Sequence, residues 1–236
     1  MSAVLTASDN LSDIRRDFER VSPDVLRRAA EFQVAILADV AGRRGTVHSR
    51  IRALAPTMKV CGPALTVEVR PGDNLMIHAA MALAKLGDVL VIDGKGDQTA
   101  ALMGTIMVLG CKAIGIAGIV VDAPVRDSLE IIELGYPVFS AGTNPNGPTK
   151  FVPGRIGWPV SVGGIAVNSG DLVVGDADGV VFIEREKVQS LLGAARKKTD
   201  EEAKRMDGLR RKENLRPAWL DGALRAAGVL KEGEQL

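Results

Sequence analysis

The sequence predicts an α/β fold with a parallel sheet and crossover helices. Between residues 60 and 139, apolar runs typical of buried strands alternate with stretches of helical character. The order strand, helix, strand, helix, strand favours parallel neighbours joined by helices. The chain has 236 residues, of which 46% are hydrophobic and 25% are charged, so it can bury a core of its own.

The first half begins with a clear helix start. Ser22 is a good N-cap and Pro23 suits the first helical position. A turn at 71–74 precedes a second helix, and the continuous apolar run at 89–92 indicates a buried strand. The predicted elements are a helix over 23–40, a strand over 60–69 broken at Gly62–Pro63, a helix over 74–86 and a strand over 89–92.

The second half changes character after a loop rich in Gly, Pro and Asn at 141–157. Beyond this loop, Asp178–Gly179 between apolar runs predicts a hairpin, and apolar residues at helical spacing predict a long charged helix. The predicted elements are a helix over 99–109, strands over 113–121 and 137–139 around a helix over 128–134, short strands within 158–183, a helix over 185–211 and an amphipathic segment over 217–230.

Composition excludes several classes of function. Lys and Arg total 30 against 29 Asp and Glu, and aromatic residues make up 3%, which argues against a nucleic-acid partner. The sequence has no apolar run long enough for a membrane span, and residues 1–13 do not resemble a signal peptide. Cys61 and Cys111 are too far apart for a metal-binding motif, so we expect a reduced, cytoplasmic protein.

The segment 122–127, Asp-Ala-Pro-Val-Arg-Asp, is the strongest candidate for chemistry. It follows a predicted strand, and ligands of open α/β sheets lie beyond the carboxyl ends of strands. Arg126 can hold a carboxylate with two hydrogen bonds, and Asp127 can bind a hard divalent cation. The alternative is that both residues form ordinary ion pairs at a helix start.

Two other loops have glycine patterns. The loop 93–97, Asp-Gly-Lys-Gly-Asp, precedes a predicted helix whose first N–H groups could bind an anion, but it lacks the full dinucleotide fingerprint. The segment 142–149 has the glycine spacing of a phosphate-binding loop, but Pro148 stands in place of its lysine, so we reject that interpretation. No glycine motif for S-adenosylmethionine is present, which counts against a methyltransferase.

Single polar side chains are ambiguous by themselves. We interpret His48 and His78 as packed or surface histidines rather than catalytic ones. Lys95 and Lys150 could each form a Schiff base, but a solvated side chain is the preferred interpretation. Asp73 and Asn74 are interpreted as caps of the helix that follows them; the alternative is that the Asp73 carboxylate points into a site. Glu201 and Glu202 resemble solvated helical charges.

Several motifs together resemble the RraA-like family. They are PGDN (71–74), GDVLVIDGKGDQ (87–98), GIAGIVVDAPVRD (115–127), ELGYPVFSAG (133–142) and SGDLVVGDADGVV (169–181). The tail PAWLDGALRAAGVL (217–230) is similar to the family's 4-hydroxy-4-methyl-2-oxoglutarate / 4-carboxy-4-hydroxy-2-oxoadipate aldolases.

The resemblance implies a fold and an assembly. The family fold is a compact β/β/α swivelling-type domain, and its members assemble as a homotrimer or as a homohexamer with sites between subunits. The implied division is an N-terminal segment at 1–22, an α/β core at 23–184, and a C-terminal helix and arm at 185–236. The long C-terminal helix would pack on a neighbouring subunit.

The resemblance also implies an activity. Aldolases of this group are class II pyruvate lyases that use Mg²⁺ or Mn²⁺. They cleave 4-hydroxy-2-oxo acids to pyruvate and a second oxo acid, and they decarboxylate oxaloacetate. The metal acts as a Lewis acid that polarises the 2-oxo group, and a metal-bound water carries protons, so no lysine is required.

Site residues follow from the resemblance position by position. Arg126 would bind the carboxylate or carbonyl of the pyruvyl group, and Asp127 would ligate the metal. The backbone amides after Gly104, those of Thr105 and Ile106, would hold the other carboxylate oxygen. At the position of Thr105 many of these aldolases carry a carboxylate, which is a departure in this sequence.

A glutamate from a neighbouring subunit would complete the implied metal site. Glu201 or Glu202 on the C-terminal helix matches this position, and either one would act through a metal-bound water. This implication replaces the interpretation of the two glutamates as solvated charges.

A binding module is the alternative function. The RraA proteins proper bind and inhibit a ribonuclease without catalysis, and the pair Arg126–Asp127 does not exclude that role. The C-terminal extension favours the aldolase branch, because it supplies the helix that completes a site.

Overall fold

The computed structural model describes residues 13–234 and residue 236. The predicted segment 1–22 therefore lies partly outside the described residues. The chain divides into two compact units, with the boundary in sequence between Ala195 and Arg196. The first unit contains the sheet and the second contains the C-terminal arm, and the predicted division at residues 22 and 184 stays a prediction.

The elements alternate as an α/β chain should. The helices are α1 (Pro23–Ala29), α2 (Val34–Val40), α3 (Leu75–Leu83), α4 (Thr105–Ala113), α5 (Ser128–Glu133), α6 (Arg185–Arg210) and α7 (Leu220–Ala226). The strands are β1 (Arg52–Ala53), β2 (Val60–Glu68), β3 (Val89–Asp93), β4 (Gly118–Val121), β5 (Val138–Ser140), β6 (Arg155–Ile156), β7 (Val160–Val162), β8 (Ile165–Val167), β9 (Leu172–Asp176) and β10 (Gly179–Ile183).

The centre of the sheet is parallel, as predicted. Strands β2, β3, β4 and β5 are neighbours in sequence order, and α3, α4 and α5 connect them. Every residue of β3 and of β4 is buried, which explains why both strands are almost entirely apolar. The parallel order places the carboxyl ends of these strands along one edge of the sheet.

The long strand β2 joins two kinds of pairing. Its first residues, Val60–Pro63, pair antiparallel with β9, and Ala64–Glu68 pair parallel with β3. The predicted break at Gly62–Pro63 is therefore wrong, because the strand runs through it and only changes its partner. Pro63 has no N–H to donate, and the chain resumes its hydrogen bonding when the Ala64 N–H donates to Asp171 O at 2.8 Å.

The remaining strands bring the edges of the sheet towards each other. Strand β1 pairs antiparallel with β5 at one edge, and the predicted hairpin of β9 and β10 forms the other. Just before β1, Thr46 forms an antiparallel bridge with Val181 of β10. The sheet is thus nearly closed and barrel-like, which leaves few unpaired strand groups.

The predicted helix over 23–40 is two helices. Gln33 has an extended backbone with φ −70° and ψ 151°, which separates α1 from α2. The Val34 N–H then donates to Asp176 Oδ2 at 2.9 Å, so a carboxylate at the end of β9 supplies an acceptor at the start of α2. Phe32, which lies in the short connection between the two helices, is buried.

Three further boundaries differ from the prediction. The helix predicted over 74–86 ends at Leu83, because the backbone of Ala84 is extended, with φ −60° and ψ 144°. The helix predicted over 99–109 begins only at Thr105, because the preceding residues lie in hydrogen-bonded loops: Ala101 N–H donates to Asn146 O and Leu102 N–H to Pro124 O. The strand predicted over 113–121 begins at Gly118, since α4 continues to Ala113. The helix at 128 and the strand at 138 agree with prediction within one residue.

The helix α6 begins where the sequence predicts. The Arg185 N–H donates to Asp171 Oδ1 at 3.1 Å, so Asp171 caps the helix, and burial raises the pKa of this carboxyl group. The first turns of α6 bury Val188, Leu192 and Ala195 in a core cluster with β9 and β10. This packing accounts for the apolar spacing seen in the sequence.

The second unit contains the end of α6 and the short helix α7. None of the residues of α7 is buried, and several apolar side chains of this unit are exposed: Met206, Leu209, Leu215, Trp219 and Val229. Within residues 13–234 and 236, the helices are all too short or too polar to cross a membrane.

Candidate functional site

A cleft of about 170 Å³ lies beyond the carboxyl ends of β3 and β4. The starts of α3, α4 and α5 line it together with a segment of the loop before β6. Its polar lining comes from Asn74, His78, Arg126, Asp127 and Lys150, with the backbone of Gly104 beside them. The structure thus brings Arg126 and Asp127 together with Gly104 and Ile106 at the start of α4, although the two pairs lie 20 or more positions apart in sequence.

Asp127 occupies an unusual backbone position at the start of α5. Its φ of 60° and ψ of 36° are left-handed, a conformation that costs a non-glycine residue of the order of 1 kcal/mol or more. Its Oδ2 atom accepts a hydrogen bond from the Thr105 N–H at 3.1 Å, which ties the start of α5 to the start of α4. Its Oδ1 atom accepts none among the described residues, so one carboxylate oxygen is available to a ligand.

Gly104 leaves the space that Asp127 fills. Its backbone is extended, with φ −142° and ψ −174°, so glycine is not needed here for its conformational freedom. A Cβ atom added at Gly104 would instead collide with Asp127 Oδ2 and lie 3.0 Å from Arg126 Cγ. The missing side chain therefore allows the carboxylate and the guanidinium to sit against the backbone.

Arg126 presents an available guanidinium group at the cleft. Its backbone is fixed, because the Arg126 N–H donates to Met103 O at 2.9 Å. Its side chain is 44% exposed, and its Nε lies 3.8 Å from Asp127 Oδ2, beyond hydrogen-bonding distance. The guanidinium donors are therefore free to bind a carboxylate or carbonyl oxygen.

The start of α4 contributes backbone donors. The Thr105 N–H is engaged by Asp127, whereas the N–H of Ile106 has no acceptor among the described residues. The Thr105 hydroxyl is buried and also lacks a partner in the described part of the chain. Of the two amides that the resemblance assigns to substrate binding, the N–H of Ile106 is therefore available to a ligand, whereas the N–H of Thr105 is already bonded to Asp127.

Asp73 fixes the segment that carries Lys150. Its carboxylate accepts the Thr149 hydroxyl at 2.6 Å and the Phe151 N–H at 2.8 Å, and it caps α3 through the Leu75 N–H at 3.0 Å. Burial opposes ionisation of Asp73, but these donors outweigh it and hold its pKa below the usual value. The prediction of a capping role is confirmed for Asp73, while the Asn74 side chain makes no cap hydrogen bond.

His78 and Lys150 face the cleft with exposed side chains. His78 lies one helical turn after Asn74, near the start of α3, so the expected surface position is correct. Its place in the same cleft as Arg126 and Asp127 was not predicted, because the sequence does not show which face of α3 meets the start of α4. The spacing of four residues between Asn74 and His78 was the one available signal.

A divalent cation fits this donor set in one particular way. Among residues 13–234 and 236, no three side chains of the His, Cys, Asp or Glu type cluster closely enough to hold a metal ion together. Asp127 alone offers a carboxylate oxygen at the cleft. Mg²⁺ commonly binds through one or two carboxylates and keeps several waters, so a site built on Asp127, water and substrate oxygens suits it.

Glu201 and Glu202 lie on α6 in the second unit. Both are exposed, and each pairs with a lysine one turn earlier: Lys197 Nζ is 3.8 Å from Glu201 and Lys198 Nζ is 2.9 Å from Glu202. Surface pairs of this kind contribute about 0.3–0.5 kcal/mol. Their assignment to a metal site on a neighbouring subunit stays a prediction.

Ion pairs engage the side chain of Lys95 in the glycine-rich loop at 93–97. Lys95 Nζ lies 2.8 Å from Asp93 and 2.9 Å from Glu68. Burial opposes its charge, but the two carboxylates prevail and raise its pKa, so Lys95 is a poor Schiff-base nucleophile. The anion site predicted at a helix start directly after this loop is wrong, because α4 begins only at Thr105.

Comparison with known proteins decides the family. A family model described as RraA-like (Aldolase/RraA) matches residues 9–182. The chain belongs to the RraA-like family. This finding confirms the resemblance and the fold class predicted from the sequence.

Two relatives have aldolase names. A protein of Halalkalibacterium halodurans named "Putative 4-hydroxy-4-methyl-2-oxoglutarate aldolase" is 39% identical over 182 residues, which cover 77% of this chain and 87% of that protein. An Arabidopsis thaliana protein with the same name and the number 3 is 34% identical over 143 residues, or 58% of this chain and 86% of that one.

A solved structure is also similar to this chain. Streptomyces coelicolor RraAS2, described as an unusual member of the RNase ES inhibitor RraA protein family, is 31% identical and has a TM-score of 0.73. The match covers 80% of this chain and 100% of that one. The RraA-like fold is therefore shared with a protein assigned to an inhibitor family.

Proposed function

We propose that this RraA-like chain is a divalent-metal-dependent lyase. It cleaves 4-hydroxy-2-oxo acids of the 4-hydroxy-4-methyl-2-oxoglutarate or 4-carboxy-4-hydroxy-2-oxoadipate type to pyruvate and a second oxo acid, and it also decarboxylates oxaloacetate. The observation that carries the proposal is the cleft in which the Arg126 guanidinium, which makes no hydrogen bond with the described residues, lies 3.8 Å from the Asp127 carboxylate, whose second oxygen is free. The aldolase names of two relatives support it.

Each polar group of the cleft binds the part of the substrate or the metal that has the opposite charge. Arg126 binds the pyruvyl carboxylate or 2-oxo oxygen and stabilises the negative charge that develops there. The free N–H of Ile106 donates to the other carboxylate oxygen at the start of α4. Asp127 holds Mg²⁺ or Mn²⁺, which supplies Lewis-acid polarisation of the 2-oxo group.

The far end of the substrate needs a separate contact. Lys150 is exposed at the cleft, and the Asp73 hydrogen bonds fix the backbone on both sides of it. We assign Lys150 to the distal carboxylate of the substrate. A Lys150→Met variant should bind a dicarboxylic 4-hydroxy-2-oxo acid more weakly, so its KM should rise, and kcat should change less.

A homo-oligomer, trimer or hexamer, forms part of the proposal. Apolar side chains are exposed on α4 and α5, the helices whose starts line the cleft: Ile106 86%, Leu109 45%, Leu129 75% and Ile132 37%. Exposed apolar side chains grouped on neighbouring helices favour a protein interface. A neighbouring subunit on this face would bring Glu201 or Glu202 to the metal, where it orders water. Light scattering on the purified chain measures the assembly.

The first test uses metal-stripped protein and oxaloacetate. Pyruvate should form only after Mg²⁺ or Mn²⁺ is added, and a coupled assay measures it. Asp127→Asn should lose metal-dependent turnover and keep the fold, whereas Arg126→Lys should weaken pyruvate binding as well, because lysine lacks the two-pronged donor geometry. Asp127→Asn with full activity would refute the site.

A binding module that regulates a ribonuclease is the second candidate. The likeness to RraAS2, from a family of RNase ES inhibitors, is the observation that favours it. The two candidates differ in their response to small ligands, since a binding module needs no oxo acid. Pyruvate or oxalate with Mg²⁺ should raise the melting temperature of a lyase and leave that of a pure binding module unchanged.

A further inference from the structure

We propose that His78 is the catalytic base that accepts the proton of the substrate's 4-hydroxyl group during carbon–carbon bond cleavage. This proposal rests on the lyase activity proposed above. It assigns to His78 a proton transfer that the resemblance gives to water.

The placement of His78 is the first argument. The residue lies near the start of α3, and its exposed side chain lines the same cleft as Arg126 and Asp127. Its backbone is held by the helix, because the His78 N–H donates to Asn74 O at 3.3 Å. Its ring nitrogens make no hydrogen bond or ion pair with the described residues, so the imidazole is available to a ligand.

The other polar groups of the cleft are the second argument. Arg126 and Lys150 offer hydrogen-bond donors and no acceptor. Asp127 accepts the Thr105 N–H and is the one carboxylate at the cleft for a cation. The Asn74 amide, which does not titrate, donates to Leu102 O at 2.9 Å. The neutral imidazole of His78, by contrast, has a ring nitrogen that can accept a proton.

The proton balance of the step is simple. An imidazole nitrogen of His78 takes the proton of the C4 hydroxyl, and the C4–O bond becomes the carbonyl of the second oxo acid. The bond between C3 and C4 breaks, and its electron pair moves into the C2–C3 bond to give the enolate of pyruvate. The imidazolium then releases this proton to solvent, and the enolate takes its C3 proton from water, as it also does after decarboxylation.

Oxaloacetate separates this role from the rest of the site. Its decarboxylation passes through the same enolate, but no hydroxyl proton has to be removed before the carbon–carbon bond breaks. Loss of a base for the hydroxyl should therefore impair aldol cleavage and spare decarboxylation. The same comparison isolates His78 from Arg126 and Asp127, which both reactions need.

The experiment compares His78→Gln with His48→Gln in the full chain with Mg²⁺. His48 is also exposed, but it does not line the cleft, and its Nδ1 accepts the Arg50 N–H, so it is the matched control. In His78→Gln, the cleavage of 4-hydroxy-4-methyl-2-oxoglutarate should lose at least about 100-fold in catalytic efficiency, which is the usual contribution of a positioned base. Oxaloacetate decarboxylation should stay near the parental rate, and His48→Gln should change neither reaction.

Two further readouts exclude a merely structural effect. The acidic limb of the pH profile for cleavage should disappear in His78→Gln, and added imidazole should restore cleavage in His78→Gly. Equal losses in both reactions, or unchanged cleavage, would overturn the assignment of His78. A parent protein that forms no pyruvate from either substrate would instead refute the lyase proposal itself.

Discussion

Replacing Gly104 with alanine leaves every functional side chain of the cleft in the sequence but changes the space around them. It therefore tests whether activity depends on the positions of Asp127 and Arg126. The added Cβ would collide with Asp127 Oδ2 and lie 3.0 Å from Cγ and 3.2 Å from Nε of Arg126. An ordinary contact needs about 3.5 Å, so the carboxylate must retreat by about 1 Å. A displacement of that size in a reacting group can reduce the rate by about 100-fold.

Stability should change far less than activity. The Gly104 backbone is extended and acceptable to alanine, so the substitution gains about 0.4–1 kcal/mol from the unfolded chain. The side chains that must move are 44% and 40% exposed and can rotate into solvent. We therefore expect a melting temperature within about 4 °C of the parent.

The matched control is Gly193→Ala on the exposed surface of α6. A Cβ there meets no atom within 4 Å, and the residue is helical, so alanine should stabilise the helix by about 0.5–1 kcal/mol. Steady-state pyruvate formation and thermal unfolding of both variants supply the comparison. Parental catalytic efficiency in folded Gly104→Ala would refute the argument that this cradle positions Asp127 and Arg126.

Three predictions concern the rest of the fold. Arg20→Ala leaves the fully buried Asp88 without its two-pronged partner, so the melting temperature should fall by about 6–20 °C, and an unchanged melting temperature would contradict this. Asp73→Asn should destabilise the chain at pH 7. Because the folded pKa of Asp73 is lowered, its stabilisation is present above the unfolded pKa of about 3.9 and is lost as pH falls through the folded value. Denaturant titrations should therefore show the two proteins converging in acid, and a constant gap would refute the assignment. Burial raises the pKa of Cys61 to about 11 and of Cys111 to about 12, so a thiol reagent at pH 8 should label the native protein slowly and the unfolded protein at both positions.

The sequence predicted the parts of the fold that depend on local pattern. The apolar runs of β3 and β4 and the hairpin of β9 and β10 follow from burial and turn chemistry, and the structure contains them. The break between α1 and α2 did not follow, because the acceptor at the start of α2 is Asp176, more than 140 positions away. Distant hydrogen bonds also shortened the helix expected at 99–109.

The sequence also predicted the part of the candidate site that depends on local pattern. Arg126 and Asp127 were predicted from their position after a buried strand, which is a local feature. Their closeness to Gly104 depends on how the starts of α4 and α5 meet, and so does the place of His78. Single polar residues on helices give no sequence signal for the cleft that they face.

The change of partner along β2 has a consequence for folding. The parallel units from β2 to β5 form from segments close in sequence, whereas β9 is more than 100 positions away in sequence from Val60–Pro63, with which it pairs. A nascent or truncated chain that lacks β9 would expose these residues as an unpaired edge, which is a template for aggregation. Amide exchange at Val60 and Cys61 should accordingly report docking of the hairpin, while Leu65 should become protected earlier with its parallel neighbour Leu90.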